Sequence, residues 1–429
     1  MATDLVYGLL PDHLLLALMV ALMLLETLRA DARWARPAFV AGLLAVGAAL
    51  LHQWQAGYGA EIVAGEIRVD RLAILGKLVL LGCGLSLPLI FAARQGYKFW
   101  MLVTAMVLGA SLVLQSAGFA SLFLGIEMLS LPAFALIVQD QGSAGPASEG
   151  AFKYLVLSSV ASALLLLGVS LAYGMTGTLS IAAFVQALGG GDAQARAAGL
   201  LVMSGLFLKA AVFPFHAWAP DAYASARLQV TALMASLVKA AVVLALVRIL
   251  QGAVLDPATA QLVGALAIVS IVFGNLAALG QTRFKRLLAY SSVAHAGYMI
   301  FALTDITGNR AEDLLWYTAF YAGATLLACA SFAVICPGED DSLQSLDGQF
   351  ARHPVAAVLL AAAVLSLAGL PPLPGFFAKL FVFKSVVASG HLLAAILAFV
   401  GSFLGLAVYL GMVMRLFRTD LQRPLAGST

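Results

Sequence analysis

The sequence predicts an all-α, polytopic membrane protein. Of its 429 residues, 62% are hydrophobic and only 10% are charged, and the mean hydropathy is +0.99; a soluble domain carries about 25% charged residues. The apolar residues fall in runs of about 20, the length that a helix needs to cross a bilayer. We find no strand-like alternation interrupted by regular turns, as a membrane barrel would require. Helices are then the remaining way to satisfy backbone polar groups in lipid.

Apolar windows divide the chain into about thirteen predicted spans. They lie near 10–29, 36–54, 71–93, 98–117, 118–138, 152–175, 197–217, 228–250, 259–279, 286–304, 313–336, 354–386 and 391–416. The stretch 179–190 is shorter and amphipathic, so we expect it to lie at the membrane interface. The first apolar run lacks a basic leader and a cleavage site, so we expect it to remain as a span.

Basic residues are concentrated in loops that would face one side of the membrane. Because Lys and Arg favour short cytoplasmic loops, we expect that side to be the cytoplasm, with a periplasmic N-terminus and a cytoplasmic C-terminus. The residues concerned are Arg29, Arg33, Arg36, Arg94, Lys98, Arg283, Lys285, Arg286, Arg415, Arg418 and Arg423. One loop assigned to the same side is acidic and carries Glu339, Asp340, Asp341 and Asp347, but acidic residues have little weight in this rule.

The seventh and twelfth predicted spans are interrupted by proline. Lys209 precedes Pro214 by five residues, and Lys379 follows Pro374 by five. Because an internal proline removes a backbone hydrogen bond and clashes with the preceding turn, we expect each helix to break near its middle. Paired broken helices, one in each half, are typical of transporters built from inverted repeats. We therefore expect an N-terminal three-helix segment over 1–97, inverted five-helix repeats over 98–250 and 251–416, and a cytoplasmic tail over 417–429.

Four charged side chains stand out inside the spans: Glu127, Lys209, Lys239 and Lys379. An ionisable group at bilayer depth costs about 2.5–3.5 kcal/mol on insertion scales, so each is by default a candidate functional residue. A lone carboxylate there would protonate, so we expect Glu127 to pair with a lysine of another helix, Lys209 or Lys239. The alternatives are a purely structural ion pair and, for Lys239, a side chain that reaches the membrane surface.

Two histidines join the candidate set, because an imidazole changes charge near working pH and can relay protons. His295 lies midway along span ten, between the two expected repeats, and His216 follows the proline of span seven. The alternatives are an ordinary core histidine for His295 and a helix-capping role for His216. Lys77 and Lys153 lie nearer the ends of their spans, and we expect both to anchor at the membrane interface.

Other chemistry is not indicated by the sequence. A net charge of +3 without a basic cluster gives no sign of nucleic-acid binding. The three cysteines lack metal spacing and are expected to act as small hydrophobic residues. Ser158, Ser159 and Ser162 fit ordinary helix packing, with water binding as the alternative. With no haem, iron–sulfur or zinc motif and no nucleophile beside a base, we expect no cofactor or metal on this chain.

Several of these segments resemble the antiporter-like subunits of respiratory complex I, most closely those of the N type. The lysine beside a broken helix is typical of the whole superfamily, and the block from Gly274 to Tyr298 is typical of the N type. The similar stretches, between about residues 100 and 415, are Leu124–Glu127, Lys153–Tyr154, Leu208–Asp221, Gly274–Thr282, Lys285–Tyr298, Leu367–Pro372 and Gly375–Lys379.

The resemblance implies a role for each buried candidate. It implies that Glu127 and Lys209 form the glutamate–lysine pair of a proton pump. It also implies that Lys239 is the bridging lysine, that His295 is the central relay, and that Lys379 is the terminal lysine of the second half.

The resemblance also implies partners and a location. Such subunits lie in the bacterial inner membrane and move protons while neighbouring subunits pass electrons from NADH to quinone. FMN, iron–sulfur clusters and quinone are therefore expected in partner subunits, and other antiporter-like subunits are expected among the membrane partners. N-type members usually have a fourteenth span, whereas this sequence ends at Thr429, soon after the thirteenth; we expect the difference to affect contacts with neighbouring subunits and not the relay.

Other functions stay open on the sequence alone. A subunit of a Mrp-type cation/proton antiporter or of a membrane-bound hydrogenase would use the same broken-helix lysines. A quinone-binding membrane subunit and a passive scaffold with relict charges are the remaining alternatives.

Overall fold

The computed structural model describes residues 2–90, 95–139, 146–308, 310–338 and 340–418. Predictions made for Arg94, Glu339, Arg423 and the tail beyond residue 418 lie outside the described residues. Within these ranges the chain is mostly helical, with one small hairpin.

The helices are named in chain order. They are α1 (Ala2–Gly8), α2 (Leu10–Thr27), α3 (Ala35–Gln55), α4 (Arg71–Ile90), α5 (Tyr97–Gln115), α6 (Phe119–Val138), α7 (Pro146–Thr176), α8 (Ile181–Gly189), α9 (Ala193–Lys209), α10 (Trp218–Ser225), α11 (Leu228–Leu233), α12 (Lys239–Leu250), α13 (Pro257–Leu279), α14 (Phe284–Phe301), α15 (Arg310–Ile335), α16 (Pro354–Ala368), α17 (Pro374–Ala388) and α18 (Leu392–Leu416).

Eleven helical segments in the described ranges are long and apolar enough to cross a membrane. They coincide with all the predicted spans except the seventh and the twelfth, the two that contain the prolines. Each of those two is a pair of shorter helices, α9 with α10 and α16 with α17. The helical membrane fold is thus confirmed, while the total of thirteen spans and the two repeats stay predictions.

Both predicted breaks are present. The first spans 210–217 and the second spans 369–373. Just past the end of the first half-helix, a residue in each break adopts a left-handed backbone conformation: Ala211 has φ 57° and Gly369 has φ 85°. This conformation ends a helix by turning the chain away from its axis. The seventh segment extends through α10 to Ser225, beyond its predicted end at 217, because the helix resumes after the break.

Two segments form the centre of the molecule. Segment 228–250 consists of α11, a π-helical turn and α12, and its most apolar window is 100% buried; segment 284–304, which contains α14, is 94% buried. The outer helices α2 and α18 are only 28% and 33% buried, so their other faces carry apolar side chains outward. The two central segments bear Lys239 and His295, which places those polar groups farthest from the outer surface.

A hairpin not expected from the sequence lies between α3 and α4. Its strands β1 (Ala60–Val63) and β2 (Ile67–Val69) pair antiparallel. The Glu66 carbonyl accepts hydrogen bonds from the backbone N–H groups of Ala117 at 2.7 Å and Gly118 at 3.3 Å. These bonds hold the hairpin over the start of α6.

The acidic loop between α15 and α16 contacts two basic segments. Arg283, before α14, lies 2.7 Å from Asp341, and Asp347 lies 3.3 Å from Arg415 and 3.4 Å from Arg418 at the end of α18. The loop is therefore at the same end of the molecule as basic residues assigned to the cytoplasmic side. The charges of Asp341 and Asp347 are thus compensated by neighbouring arginines and do not contradict that assignment.

Glycines allow α13 and α14 to approach closely. A Cβ atom at Gly274 would lie 2.5 Å from the backbone nitrogen of Ala294, and one at Gly297 would lie 2.7 Å from the carbonyl oxygen of Ala267. Because both neighbours are backbone atoms, a side chain could fit only if the helices separated. Small residues at such interfaces are typical of helix packing in membranes.

We expect Gly274→Val to destabilise the protein by about 1–3 kcal/mol, the usual range for overpacking. The matched control is Gly323→Val on α15, where a Cβ would meet no atom within 4 Å. Thermal unfolding of the two variants in detergent measures the difference, and equal midpoints would contradict the packing argument.

Candidate functional site

Glu127 and Lys209 form a buried ion pair between α6 and α9. The Lys209 Nζ lies 3.2 Å from Glu127 Oε1, and it donates to Ser130 Oγ at 2.9 Å and to Ser158 Oγ at 3.1 Å. Ser162 donates its hydroxyl to the same Oε1 at 2.5 Å. The Lys209 side chain is 5% exposed and that of Glu127 is 24% exposed. The prediction that Glu127 pairs with a lysine of another helix is confirmed.

The expectation of ordinary helix packing is wrong for Ser158 and Ser162. The two residues lie one turn apart on α7, so their hydroxyls lie on the same face of that helix. One hydroxyl contacts the lysine and the other contacts the carboxylate. They supply oxygen partners for both members of the ion pair.

The break after α9 also stabilises the Lys209 ammonium. Lys209 is the last residue of α9, and the final carbonyl groups of a helix carry partial negative charge. Beyond it the backbone turns away at Ala211, and the Leu208 carbonyl accepts the indole N–H of Trp218 at 2.8 Å. The cation thus lies at the negative end of a half-helix that is fixed in place.

Lys379 lies after the second break, whereas Lys209 lies before the first. It lies on α17, after the break, and its Nζ donates to the carbonyl oxygen of Ala368, the last residue of α16, at 2.8 Å. The Nζ also donates to Ser402 Oγ at 2.9 Å and lies 4.6 Å from the centre of the Tyr298 ring, within range of cation–π attraction. Neutral groups surround this buried ammonium, and no carboxylate of the described residues is paired with it.

A cavity of about 300 Å³ borders the Lys379 side chain. Its walls are mainly apolar and include Phe376, Phe383, Phe399 and Phe403. Phe399 and Phe403 are both more than half exposed on α18. The cavity beside Lys379 therefore lies near the outside of the helical bundle.

Lys239 lies in the centre of the molecule. It is the first residue of α12, directly after the π-helical turn Met234–Val238. Its Nζ donates to the Ser292 carbonyl on α14 at 2.6 Å, and the residue is 3% exposed. The alternative in which this side chain reaches the membrane surface is therefore wrong. Within the described part of the chain, no carboxylate forms an ion pair with it.

His295 is buried one turn along α14 from Ser292. Its Nδ1 shares a hydrogen bond with the Tyr317 hydroxyl at 2.9 Å, and the residue is 4% exposed. Its ring centre lies 5.8 Å from that of Tyr298, the ring beside the Lys379 ammonium. Helix α14 therefore carries polar contacts from the central lysine toward the second break.

His216 lies apart from the other five candidates. It is half-buried in the break between α9 and α10, with its ring 5.4 Å from that of Phe213 and 4.6 Å from that of Phe273. No hydrogen bond or ion pair given by the described residues joins it to the rest of the set. Its backbone carbonyl accepts from the Ala219 N–H at 2.9 Å. Because α10 has Ala217 as its N-cap and no side-chain capping hydrogen bond, the His216 ring does not cap this helix.

A second buried ion pair was missed. Lys77 Nζ lies 3.0 Å from Asp12 Oδ2 and donates to Gln115 Oε1 at 2.6 Å, while Ser111 donates to Asp12 Oδ1 at 2.6 Å. Because Lys77 is only 4% exposed, the expectation of an interfacial anchor is wrong for it. The sequence contains a feature that could have predicted this pair, because Asp12 lies inside the first predicted span and has the charge opposite to that of Lys77.

Lys153 takes part in a different network. It lies 2.7 Å from both Glu149 and Asp221, and Asp221 also lies 3.2 Å from Arg286. The Lys153 side chain is 42% exposed. Asp221 thereby connects α7, α10 and α14 at one end of the bundle.

Metal-binding geometry is not found in the described residues. None of their His, Cys, Asp and Glu side chains form a group of three or more that could hold a metal ion. Cys83, Cys329 and Cys336 are free, and the first two are buried.

Comparison with known proteins places the site in context. Residues 116–405 match the family model described as NADH:quinone oxidoreductase/Mrp antiporter, TM. NADH-quinone oxidoreductase subunit N of Pelobacter propionicus is 56% identical, over 98% of this chain and 91% of that protein. A chain of respiratory complex I from Thermus thermophilus is 34% identical and superposes with a TM-score of 0.85, over 98% of this chain and 92% of that chain.

A more distant likeness shows the fold alone. A chain of the Mrp complex from Dietzia is 24% identical and superposes with a TM-score of 0.85, over 96% of this chain and 80% of that chain.

We expect Lys77→Met to destabilise the protein by about 3–5 kcal/mol, because it leaves the Asp12 carboxylate buried without its partner. The double variant Asp12→Leu, Lys77→Met removes both charges and should recover most of the loss. Thermal unfolding and the amount of protein in the membrane measure both effects. If Lys77→Met alone were as stable as the natural protein, the Lys77–Asp12 pair would not contribute to stability.

Proposed function

The chain belongs to the NADH:quinone oxidoreductase/Mrp antiporter membrane family and to its subunit N branch, and from that premise we propose that it is a proton-translocating membrane subunit of an NADH:quinone oxidoreductase. Its own part of the reaction is proton movement through buried side chains. Electron transfer from NADH to quinone takes place in partner subunits.

One observation carries the proposal: buried ionisable and polar groups form a series across the centre of the molecule. The series runs from Glu127 and Lys209 through Lys239, Ser292, His295 and Tyr298 to Lys379. A passive scaffold gives no reason for Lys239, His295 and Lys379, three buried ionisable groups that have no countercharge among the described residues. Proton relays are the usual reason for such groups inside a membrane.

A small cavity supports a connection between the first two lysines. It has a volume of about 10 Å³, borders Lys209 and Ser130, and is also lined by Val238 and Val242. These two valines flank Lys239 along its helix. A space of about 10–15 Å³ holds one water molecule, so the cavity has room for a single water beside Lys209, against the helix that carries Lys239.

The surroundings of each lysine allow it to take up and release a proton. The Glu127 carboxylate stabilises the Lys209 ammonium, so protonation or displacement of Glu127 would favour proton release from Lys209. Lys239 and Lys379 are held by neutral oxygens, so a proton on either meets no fixed anion and can be passed on. His295 can accept a proton at one ring nitrogen and give one up at the other.

His216 is assigned a separate part in this proposal. It lies in the first break, half-buried and outside the series. We assign it to proton exchange between the cytoplasmic end of that segment and the Glu127–Lys209 pair.

The proposal includes two inverted five-helix repeats, over 98–250 and 251–416, after an N-terminal three-helix segment. The matching breaks support it, because Ala211 and Gly369 take the same left-handed conformation three residues before Pro214 and Pro372. It also places the chain in the bacterial inner membrane with a periplasmic N-terminus and a cytoplasmic C-terminus. FMN, iron–sulfur clusters and quinone belong to partner subunits, and other antiporter-like subunits are membrane partners.

We expect Lys239→Ala and Glu127→Ala each to reduce NADH-driven proton uptake by about 100-fold, the low end of the loss on removing a positioned proton-transfer group. The measurement is the initial rate of proton uptake into vesicles that contain the reconstituted whole complex. The control is Lys98→Ala, whose side chain is 75% exposed.

Normal coupling in both variants would overturn the relay. A loss shared by the Lys98 control would show that the assay responds to assembly and not to the buried groups.

Purification of the native complex tests the identity of the partners. We expect flavin-containing, NADH-oxidising subunits to co-migrate with this chain, and flavin fluorescence and NADH oxidation by the purified band measure this. A nickel hydrogenase in their place would overturn the assignment.

A further inference from the structure

We propose that Asp313 is a further proton-transfer residue, which connects His295 to the surface loop between α14 and α15. The inference rests on the proposed function, and it adds a route between the central relay and the side that the orientation assigns to the periplasm.

Asp313 is a buried carboxylate that the central series does not use. It lies in the first turn of α15, within a segment suited to cross the membrane, and is 8% exposed. Its Oδ2 accepts a hydrogen bond from Ser385 Oγ on α17 at 2.5 Å. The preceding residue, Glu312, is exposed. Asp313 thus lies at the end of a membrane-spanning segment and is still buried, which places its carboxyl group between the surface loop and the interior of the bundle.

The inward step leads to the central histidine. Tyr317 follows Asp313 by four residues on α15, so the two side chains share a face of the helix. Its hydroxyl shares a hydrogen bond of 2.9 Å with His295 Nδ1. Four helical residues rise about 6 Å along the axis, so transfer between the Asp313 carboxyl and the Tyr317 hydroxyl requires bridging water.

The outward step leads toward the surface through hydroxyl and carboxyl groups. Ser389 directly follows α17, one turn after Ser385, and its Oγ donates to the Ser385 carbonyl at 2.9 Å and to Asp305 Oδ1 at 3.0 Å. Because a backbone carbonyl does not pass on a proton, transfer between the two serine hydroxyls requires a bridging water. The Thr307 hydroxyl donates to the same Oδ1 at 2.7 Å. Thr307 is exposed, so the polar groups continue from the buried carboxyl to the surface.

The position of this route fits a proton exit from the second half. It runs between α15 and α17, and α17 also carries Lys379. A proton that reaches His295 or Lys379 therefore has hydroxyl and carboxyl groups leading to the nearer surface. The competing role for Asp313 is a simple tie between the two helices, through its hydrogen bond with Ser385.

Two substitutions separate these roles. Asp313→Asn keeps an oxygen that can accept from Ser385 but cannot carry a proton as the acid does, whereas Asp313→Glu keeps an acid. The matched control is Glu312→Gln on the same turn. Each variant is made in the whole complex and reconstituted into vesicles, and NADH-driven proton uptake is measured.

We expect Asp313→Asn to lower the initial rate of proton uptake by about tenfold, less than the full contribution of a positioned proton-transfer group because water can bypass part of the route. Asp313→Glu should keep more than about half of the natural rate, since it retains the carboxyl group. Glu312→Gln should leave the rate unchanged.

Equal rates in Asp313→Asn and Glu312→Gln would overturn the inference, and so would equal losses in the Asn and Glu variants, which indicate a structural tie. Lys239→Ala, measured in parallel, identifies what has failed. If it pumps normally, the proposed function fails; if it stops pumping while Asp313→Asn does not, only the route through Asp313 fails.

If the complex with Asp313→Asn does not assemble, infrared difference spectra of the natural complex and of Asp313→Glu test the inference. During turnover the natural complex should show a carboxylic C=O band that shifts in Asp313→Glu. Absence of that shift would overturn the inference.

Discussion

Besides the Lys77–Asp12 pair, the structure depends on the need to stabilise three further buried lysines in a bundle with few carboxylates. Lys209, Lys239 and Lys379 are each less than 10% exposed, and only Lys209 is paired with a carboxylate among the described residues. A buried lysine without oxygen partners would lose its proton, or its charge would destabilise the packing of its helix against the neighbouring helices. The chain therefore has to bring oxygen atoms to each lysine from the backbone or from serine.

The two broken segments contribute to this in different ways. At the first break, the carbonyls of Leu206, Phe207 and Leu208 accept backbone N–H groups of residues 210–212. Lys209 ends that half-helix, and its partners are the Glu127 carboxylate and two serine hydroxyls. At the second break, Lys379 reaches back to the carbonyl of Ala368 from the half-helix that follows. A straight helix would have used the Ala368 carbonyl in its own hydrogen bonds, so this break leaves an acceptor for the lysine inside the bundle.

The buried centre gives these groups fixed positions. The segment with Lys239 and the segment with His295 are surrounded by other helices, and glycine contacts bring α13 and α14 within backbone distance. The close packing leaves little room for helices to move. We therefore expect a proton to pass when the protonation of a neighbouring group changes, without a large movement of the helices. Ser158, Ser162 and Tyr317 extend the hydrogen bonding around the charges at positions that helix faces determine.

The sequence by itself determined the membrane class, the positions of eleven spans, the two breaks and four of the buried charges, because hydropathy, proline and the cost of a charge in lipid are local properties. It did not determine which groups meet. The pairing of Lys77 with Asp12, the hydroxyls around the Glu127–Lys209 pair and the carbonyl partner of Lys239 all depend on which helices are neighbours and how each is rotated about its axis. Helices in lipid are nearly uniform in hydrophobicity, so their apolar pattern carries little information on rotation. Only the tertiary structure decided those contacts.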